Sequence, residues 1–245
     1  MTLPEPFRWR SEHIAVDLPG AHALFTTRRG GVSSGPYATL NLGRLTGDEP
    51  GAVMRNRERV RELVGAPLAG IRQVHGARVK RLRELPAPEE PWEEADGQAT
   101  AQPGMAAMVM VADCLPIVVS AGGAVAMLHA GWRGLDGGVI AEGVRALREL
   151  CGVSELYAAI GPGAGPCCYE VGAEVHERFL RYGETVRRGR NLDLKAIARA
   201  QLAEAGATAV HDVGLCTICG DAGLFFSHRR DRGVTGRQAG IAWLS

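Results

Sequence analysis

Apolar residues occur along the chain in two kinds of run, and each kind predicts a different element. Short, nearly continuous apolar runs are typical of strands that are buried on both faces of a sheet. Such runs occur at 21–27, 71–74, 79–82, 106–111, 115–119, 125–128, 156–160, 209–213 and 240–244. Runs in which apolar residues return at helical spacing occur at 51–64, 138–150, 175–182 and 194–205. The chain is therefore predicted to combine helices and strands along most of its length.

The three strands predicted between 106 and 128 follow one another without room for a helix between them. Consecutive parallel strands need a crossover of about a dozen residues or more, so this region does not fit a simple strand–helix alternation. We therefore expect an α+β protein with mixed sheets packed under helices. The proline-rich stretch at 86–91 predicts an exposed loop that is too short to mark a domain boundary. Residues 1–245 are accordingly expected to form a single domain.

The composition is that of an ordinary globular protein. Hydrophobic residues make up 46% of the chain and charged residues 22%, and 28 Lys and Arg residues against 27 Asp and Glu residues give a net charge of +1. This balance argues against a nucleic-acid-binding surface. The longest apolar run, at 105–119, contains Asp113 and Pro116 and is shorter than the roughly 20 residues of a membrane helix. Because residues 1–10 lack the apolar segment of an export signal, we expect reduced cysteines and a cytoplasmic location.

Three side chains that commonly bind metals stand beside the predicted strands. His75 and His129 each follow the end of an apolar run, and Cys114 lies in the short gap between two such runs. Two imidazoles and one thiolate match the ligand number of a catalytic zinc site, which keeps a fourth position for water or substrate. The three residues are far apart in the sequence, so their spacing alone fits ordinary histidines and a buried cysteine equally well.

Six short motifs around these residues follow one another in order. They are Thr26-Thr-Arg28 with Gly30-Gly-Val-Ser33, Gln73-Val-His75-Gly76, Asp113-Cys114-Leu-Pro116, His129-Ala-Gly-Trp-Arg-Gly134, the glycine- and cysteine-rich stretch 161–172, and Phe225-Phe-Ser-His-Arg229-Arg-Asp231 with Thr235-Gly-Arg237. Together they resemble the bacterial YfiH-like family of laccase-domain proteins, which are understood as purine nucleoside phosphorylases. The resemblance extends from about residue 20 to the end of the chain.

This resemblance implies a four-layer α/β/β/α fold and a zinc ion bound by the catalytic residues His75, Cys114 and His129. It also implies phosphorolysis of adenosine, inosine and guanosine, cleavage of methylthioadenosine, and hydrolytic deamination of adenosine. Purine nucleosides and phosphate are then the expected partners, and neither nucleic acid nor a membrane is expected. Two positions depart from the family pattern, because Leu45 and His228 stand where relatives often carry histidine and tyrosine.

Two kinds of chemistry follow from these expectations. A zinc ion lowers the pKa of bound water to about 7 and so supplies a nucleophile for deamination, whereas phosphorolysis requires a phosphate dianion held by charge-assisted hydrogen bonds. Arg28 is the first candidate for binding phosphate because it stands beside a glycine-rich loop. Asn41 either contacts a sugar or base of the substrate or forms a turn, and the sequence fits both roles equally well. Asp113 either orients a metal ligand or bonds to the backbone of its turn. The residues predicted to bind substrate are Arg28, Asn41, Arg133, Arg229 and Arg230.

The same residues leave other functions open. A set of two histidines and a cysteine with a nearby methionine, such as Met110 or Met127, suits a blue-copper centre, so a copper-dependent polyphenol oxidase is one alternative. The chain has seven histidines but no His-x-His pair, which argues against a multicopper cluster. A metal-free hydrolase with Cys114 as nucleophile and a histidine as base is a second alternative, and a non-enzymatic nucleotide or redox sensor is a third.

A second group of thiols stands near the glycine-rich stretch and the carboxyl-terminal motifs. We interpret these thiols as packed loop residues, with a redox role or a second metal as the alternative, because one C-x-x-C sequence without a matching pair is a weak signal. The residues concerned are Cys167, Cys168, Cys216 and Cys219.

Overall fold

The computed structural model describes residues 1–84, 92–152 and 155–245. The loop predicted at 86–91 lies outside these described residues. The strands are β1 (Arg8–Arg10), β2 (His13–Leu18), β3 (Ala21–Phe25), β4 (Leu68–Ala69), β5 (Val79–Arg81), β6 (Gly97–Thr100), β7 (Ala106–Val111), β8 (Leu115–Ala121), β9 (Ala124–Ala130), β10 (Leu156–Ile160), β11 (Arg187–Arg188), β12 (Asn191–Leu192), β13 (Ala207–Asp212) and β14 (Gln238–Leu244). The α-helices are α1 (Pro50–Val64), α2 (Trp132–Asp136), α3 (Val139–Cys151), α4 (Ala173–Arg178) and α5 (Leu194–Glu204). Two 3-10 segments occupy Gly35–Tyr37 and Leu180–Val186.

Two six-stranded mixed sheets form the centre of the molecule. The first has the strand order β1-β2-β3-β14-β7-β4 and is antiparallel except for the β4–β7 pair. The second has the order β13-β10-β8-β9-β6-β5 and is antiparallel except at its two margins, where β13 pairs with β10 and β5 pairs with β6 in parallel. A two-stranded ribbon of β11 and β12 lies apart from both sheets.

The sheets pack face to face and helices cover both outer faces. Phe25 and Val109 of the first sheet share a buried cluster with Val118 and Met127 of the second, so apolar side chains fill the space between the sheets. A second cluster joins α3 and α5 to the outer face of the second sheet, and a third joins α1 to the outer face of the first. The resulting order of layers is α/β/β/α, which confirms the predicted fold class.

Helix α1 shows how local sequence sets an element. The Glu49 carboxylate accepts hydrogen bonds from the backbone N–H groups of Gly51 and Ala52, and Pro50 occupies the first turn, where its missing N–H costs nothing. Gly65 ends the helix in a left-handed conformation with φ of 79°. The helix predicted at 51–64 is therefore confirmed almost to the residue.

Most of the other predicted elements are also confirmed, with three differences. The elements that were not predicted are β1, β2, β4, β6, β11, β12 and the short helix α2, and the helix predicted at 175–182 is divided between α4 and a 3-10 segment. The strand predicted at 71–74 is wrong, since this segment makes only one isolated bridge, from Arg72 to Glu94. The backbone N–H of Val74, at its end, donates to a buried carboxylate, as described below. No helix among the described residues is long and apolar enough to cross a membrane.

The topology brings several chain segments to one end of the sandwich. Residues 112–114 carry the chain from β7 in the first sheet to β8 in the second. The beginning of β8 pairs with the end of β9, where Pro116 lies opposite His129. The end of β10 also pairs with this part of β8, and the segment between β4 and β5 crosses between the two sheets at the same end.

Candidate metal centre and cleft

The three predicted metal ligands meet at this end of the sandwich. His129 is on β9, Cys114 directly precedes β8, and His75 lies in the crossing segment between β4 and β5. Their ligand atoms all lie within 4.8 Å of one another. The two imidazole rings meet edge to face, with ring centroids 4.9 Å apart. The fold thus brings together three side chains that the sequence spaces widely.

Asp96, which directly precedes β6, organises the two histidines. Its carboxylate is fully buried and accepts hydrogen bonds from the backbone N–H groups of Val74, His75 and Gly76, at 3.2, 2.8 and 2.6 Å. The same carboxylate lies 2.8 Å from Nδ1 of His129. Carboxylates commonly hold metal-binding histidines in this way, because the hydrogen bond fixes the ring and leaves Nε2 as the ligand atom. Asp96 therefore orients the imidazole of His129 and shapes the turn that presents His75.

The charges of these groups are coupled. Burial alone would raise the pKa of the Cys114 thiol, but the charge of His129 and hydrogen bonds from both histidines lower that pKa to about 6. Burial favours the neutral ring of His129 and so lowers its pKa. The Cys114 thiolate and the Asp96 carboxylate outweigh burial and raise the pKa of His129 to about 9. The protein therefore favours the thiolate, which is the form of cysteine that binds metals.

The donor set fits a metal ion. One thiolate and two imidazoles are ligands that zinc and other transition metals prefer. Because His129 is 4% exposed and held by a buried carboxylate, while His75 is exposed, one side of the centre is fixed in the protein and the other opens to solvent. Gly131 keeps the centre open, since a Cβ atom built there would lie 2.8 Å from the Cys114 sulphur.

The centre forms part of the wall of a cleft of about 520 Å³, a size that suits a small-molecule ligand. Arginines and aromatic rings line much of the remaining wall. The lining residues with charged or aromatic side chains include Arg72, Trp92, Trp132, Arg133, Tyr169, His228, Arg229 and Arg237. The cleft therefore combines positive charge with flat apolar surfaces around the three metal-binding side chains.

Two of the five predicted substrate-binding residues line this cleft. Arg133 stacks on Trp132 with its guanidinium 4.3 Å from the ring centroid, and this guanidinium has no hydrogen-bond or carboxylate partner among the described residues. Arg229 lies 5.2 Å from the ring centroid of Tyr169 and donates a hydrogen bond to the backbone carbonyl of Glu170. Both guanidinium groups are held by aromatic rings and face the same space as the metal-binding residues.

The other three predicted substrate-binding residues lie outside the lining of the cleft. Arg28 donates to the backbone carbonyls of Ala38 and Ala222. The Arg230 guanidinium bonds to backbone carbonyls and to the neighbouring carboxylate of Asp231. These bonds fasten loops to one another, and a substrate contact by either arginine stays a prediction.

Asn41 is fully buried and bonds within its own turn and to Arg237, the last residue of the last motif. Its side-chain oxygen accepts from the backbone N–H groups of Gly43 and Arg237, and its amide group donates to Thr46 and Asp48. Every hydrogen-bonding atom of this amide is thus engaged by the protein. Asn41 positions Arg237, and its predicted substrate contact also stays a prediction.

Asp113 bonds to neighbouring loops and not to a metal-binding side chain. One carboxylate oxygen accepts from the hydroxyl of Thr217 and the other from the backbone N–H of Arg229, each at 2.7 Å. Of the two roles considered for Asp113, the structure therefore supports the bonding role, extended to the loops at 217 and 229. Asp113 ties the segment that carries Cys114 to these two loops.

Sequence reasoning missed Asp96 and the cleft residues Arg72, Trp92 and Tyr169. The segment that carries Asp96 shows no apolar run, because the strand Gly97–Thr100 that follows contains Gln98 and Thr100. These polar residues are nevertheless buried, and the Gln98 amide forms hydrogen bonds within the protein. The only signal in that segment is a lone aspartate after two glutamates. The two positions that depart from the family pattern, Leu45 and His228, both line the cleft, so the departures change its surface and leave the metal-binding residues intact.

The fold and the centre define a class of two-sheet proteins with a His–Cys–His site at one end of the sandwich. A family model described as "Multi-copper polyphenol oxidoreductase laccase" matches residues 22–245, and the chain belongs to this laccase-domain family. A purine nucleoside phosphorylase of Xylella fastidiosa is 42% identical to the chain, over 92% of this chain and 93% of that protein. The purine nucleoside phosphorylase YlmD of Geobacillus stearothermophilus is 39% identical, over 91% and 90%. The crystal structure of YlmD from Geobacillus stearothermophilus has a TM-score of 0.89 at 35% identity, covering 98% of this chain and 99% of that one.

Proposed function

We propose that the protein is a zinc-dependent purine nucleoside phosphorylase, built as one catalytic domain, that acts on adenosine, inosine, guanosine and methylthioadenosine and also deaminates adenosine. The observation that carries the proposal is the convergence of His75, Cys114 and His129 in the wall of a cleft lined by arginines and aromatic rings. The names of the relatives from Xylella fastidiosa and Geobacillus stearothermophilus support it.

Zinc is the metal that this donor set suits best, with His75, Cys114 and His129 as its ligands. When bound, zinc acts as a Lewis acid and lowers the pKa of a water molecule to about 7, which supplies the nucleophile that deamination of adenosine requires. The Asp96 carboxylate keeps the His129 ring in one tautomer and one orientation. The Cys114 thiolate contributes negative charge, and the solvent-facing side of the centre leaves access for a substrate.

Phosphorolysis requires a phosphate oxygen aligned with the anomeric carbon of the ribose. Arg133 and Arg229 present positive charge to the cleft, and arginine binds phosphate through paired, charge-assisted hydrogen bonds. The stacking of each guanidinium on an aromatic ring restricts its motion. Less side-chain entropy is therefore lost when phosphate binds, so these two residues are the proposed phosphate ligands.

The aromatic residues of the cleft suit the purine. Trp92 and Tyr169 line the same space as the metal-binding residues, and aromatic rings bind flat heterocycles through stacking and dispersion. Tyr169 stays protonated at neutral pH, because burial and the charge of Cys114 raise its pKa to about 12. Its hydroxyl can therefore donate a hydrogen bond to a base or sugar as well as accept one.

A product assay with metal analysis tests this proposal. The purified protein is analysed for bound metal and then incubated with adenosine and phosphate, with and without prior removal of metal by a chelator. We expect adenine and ribose 1-phosphate from the zinc-loaded protein, with inosine as the product of deamination. Both activities should be lost in the metal-free protein and in Cys114→Ala. Cys151→Ala is the matched control, because Cys151 is a free thiol on α3, outside the lining of the cleft.

The same assay separates the alternatives. Full turnover after complete removal of zinc would favour a metal-free hydrolase that uses Cys114 and His129. Copper-dependent oxidation of phenols with four-electron reduction of oxygen would favour the polyphenol oxidase that the description of the family model suggests. An absence of turnover with every purine nucleoside would favour a sensor, and each of these results would contradict the proposed function.

A further inference from the structure

Four cysteine side chains gather in a second group outside the cleft, and we call this group the cysteine cluster. Their sulphur atoms all lie within 4.8 Å of one another. The members come from two chain segments, the loop after β10 and the loop after β13, and all of them are free thiols. The residues of the cysteine cluster are Cys167, Cys168, Cys216 and Cys219.

We propose that the cysteine cluster binds a structural zinc ion. Four thiolates at Zn–S distances of about 2.3 Å form a tetrahedron whose edges are roughly 3.8 Å long. The sulphur atoms already lie within 4.8 Å of one another, and those of Cys167 and Cys219 are 3.3 Å apart. Small side-chain movements therefore give the tetrahedral arrangement. Binding exchanges four thiol protons for one divalent cation, and no oxidant or reductant takes part.

The backbone around Cys216 has the form of a metal-binding turn. Gly220 donates to the carbonyl of Cys216, and a Cβ atom built at Gly220 would lie 2.2 Å from that oxygen. Only glycine therefore permits this tight Cys-x-x-Cys-Gly turn. The backbone N–H of Gly165 donates to the Cys216 sulphur at 3.3 Å. Such N–H groups stabilise the charge of a metal-bound thiolate.

The two segments are held in register before any metal binds. Gly163 and Cys216 form a parallel bridge, and Thr217 donates its N–H to the carbonyl of Gly163. Gly165 lets the loops approach closely, since a Cβ atom there would lie 3.1 Å from the sulphur of Cys167. Because Cys167 and Cys219 are exposed, an ion has a direct path from solvent to the cluster.

Guanidinium groups bonded to the segment that carries two of the cysteines offset part of the charge of a tetrathiolate site. A zinc ion with four thiolates carries a net charge of −2, which needs compensation in a partly buried position. Three guanidinium groups bond to carbonyls of the 217–223 segment: Arg230 to Thr217, Arg28 to Ala222, and Arg29 to Gly223. Two of these three arginines, Arg28 and Arg230, are residues that the sequence suggested for phosphate. Arg230 and Arg29 also pair with the carboxylates of Asp231 and Asp221.

The proposed zinc ion would fasten the loops that form one wall of the cleft. Cys168 directly precedes Tyr169, and the hydroxyl of Thr217, between two of the cysteines, donates to Asp113 beside Cys114. The cysteine cluster is therefore joined to the candidate metal centre through one hydrogen bond and one chain neighbour. A structural ion there would hold Tyr169 and Asp113 in place without contacting the substrate.

Metal analysis under reducing conditions tests the proposal. The wild-type protein and the Cys151→Ser control should each bind two zinc ions per chain after reconstitution with zinc. Cys114→Ala should bind one, at the cysteine cluster. The double variant Cys167→Ser with Cys219→Ser should also bind one, at the candidate metal centre, and should melt at a lower temperature than wild type. Its two substitutions are at exposed positions, which keeps damage to the core small.

Cobalt gives a readout that needs no catalytic activity and distinguishes the two sites. Cobalt bound to Cys114→Ala should show the strong thiolate-to-metal charge-transfer absorption of four sulphur ligands, roughly four times that expected for the single thiolate of the candidate metal centre. A Cys114→Ala protein that binds no ion, or a double variant that keeps two, overturns the proposal. A Cys167–Cys219 disulphide with no second ion, found by mass spectrometry after purification without reductant, overturns it in favour of a redox pair.

Discussion

Replacement of Asp96 by asparagine should weaken zinc binding without removing any metal ligand. The two carboxylate oxygens accept four hydrogen bonds, three from backbone N–H groups and one from the ring of His129. Val74 and Gly76 share one oxygen, and His75 and His129 share the other. An asparagine amide offers one oxygen and one NH₂ group, so in either orientation its NH₂ group meets two donors. The asparagine side chain in Asp96→Asn thus has the same size as aspartate but lacks the negative charge and two of the acceptor positions.

The expected loss can be stated as a free energy. Residues that orient metal-binding histidines typically contribute 10- to 100-fold to metal affinity, which equals about 1.4 to 2.7 kcal/mol. We expect a loss in this range, because the substitution affects both the tautomer of His129 and the turn that presents His75. Hydrogen bonds to charged groups contribute about 1.5 to 3 kcal/mol each, so the free energy of unfolding should also fall.

Competition between the protein and a chromophoric chelator measures the zinc dissociation constant of the candidate centre at constant pH. To isolate that centre, the measurement is made in the Cys167→Ser, Cys219→Ser background. Asp113→Asn is the matched control: Asp113 also lies beside a metal ligand, but its carboxylate accepts from Thr217 and Arg229 and from no metal-binding side chain among the described residues. The control should change the zinc affinity by much less than 10-fold. Equal zinc affinities with and without Asp96→Asn in this background, in proteins that melt cooperatively, would refute the role assigned to Asp96.

Three further predictions concern phosphate, pH and the space around the centre. Arg133→Ala should raise the KM for phosphate by roughly 10-fold or more because a charge-assisted hydrogen bond is lost, whereas the exposed Arg145→Ala should leave it unchanged; equal values in steady-state assays would contradict this. Burial lowers the pKa of His13 from 6.5 to about 4, so the unfolded chain takes up this proton first as the pH falls. The free energy of unfolding should then drop by up to about 3 kcal/mol between pH 6.5 and 4. Urea titrations should show a smaller drop for His13→Gln, and the same pH dependence in wild type and His13→Gln would contradict the prediction. Gly131→Ala should weaken zinc binding because the added Cβ atom would lie 2.8 Å from the Cys114 sulphur. An unchanged zinc dissociation constant would contradict the placement of Gly131 against the metal-binding thiolate.

The strands and helices with clear apolar periodicity could be predicted from the sequence. β7, β8 and β9 are fully apolar over most of their length, and α1 has an acidic amino-terminal cap and a glycine stop. The missed strand β6 is buried through side-chain hydrogen bonds such as those of Gln98 to the carbonyls of Ala69 and Met108. Hydropathy does not register such burial, because the partners lie elsewhere in the sequence.

The prediction of a strand at 71–74 was wrong for a related reason. The apolar residues of this segment predicted a strand, but the backbone N–H of Val74, at its end, and those of His75 and Gly76, directly after it, donate to the carboxylate of Asp96. A buried charge with several N–H donors competes with sheet pairing, and the sequence alone does not reveal that partner.

The candidate site was predictable only in part, because the metal ligands and the surrounding residues carry different signals. His75, Cys114 and His129 belong to ordered motifs, so the resemblance to a family could group them. Arg28 and Arg133 also stand in these motifs, so membership of a motif does not tell which of the two arginines faces the cleft. Only the fold separates an arginine that bonds to loop carbonyls, as Arg28 does, from one that lines the cleft, as Arg133 does.

Phosphorus NMR of the reaction between adenosine and phosphate tests the central claim most directly. The zinc-loaded protein should convert inorganic phosphate into ribose 1-phosphate in step with the release of adenine. The signal should vanish after zinc is removed and return when zinc is restored. Release of adenine with free ribose and no change in phosphate would contradict phosphorolysis, and unchanged formation of ribose 1-phosphate in the zinc-free protein would contradict the role of the metal.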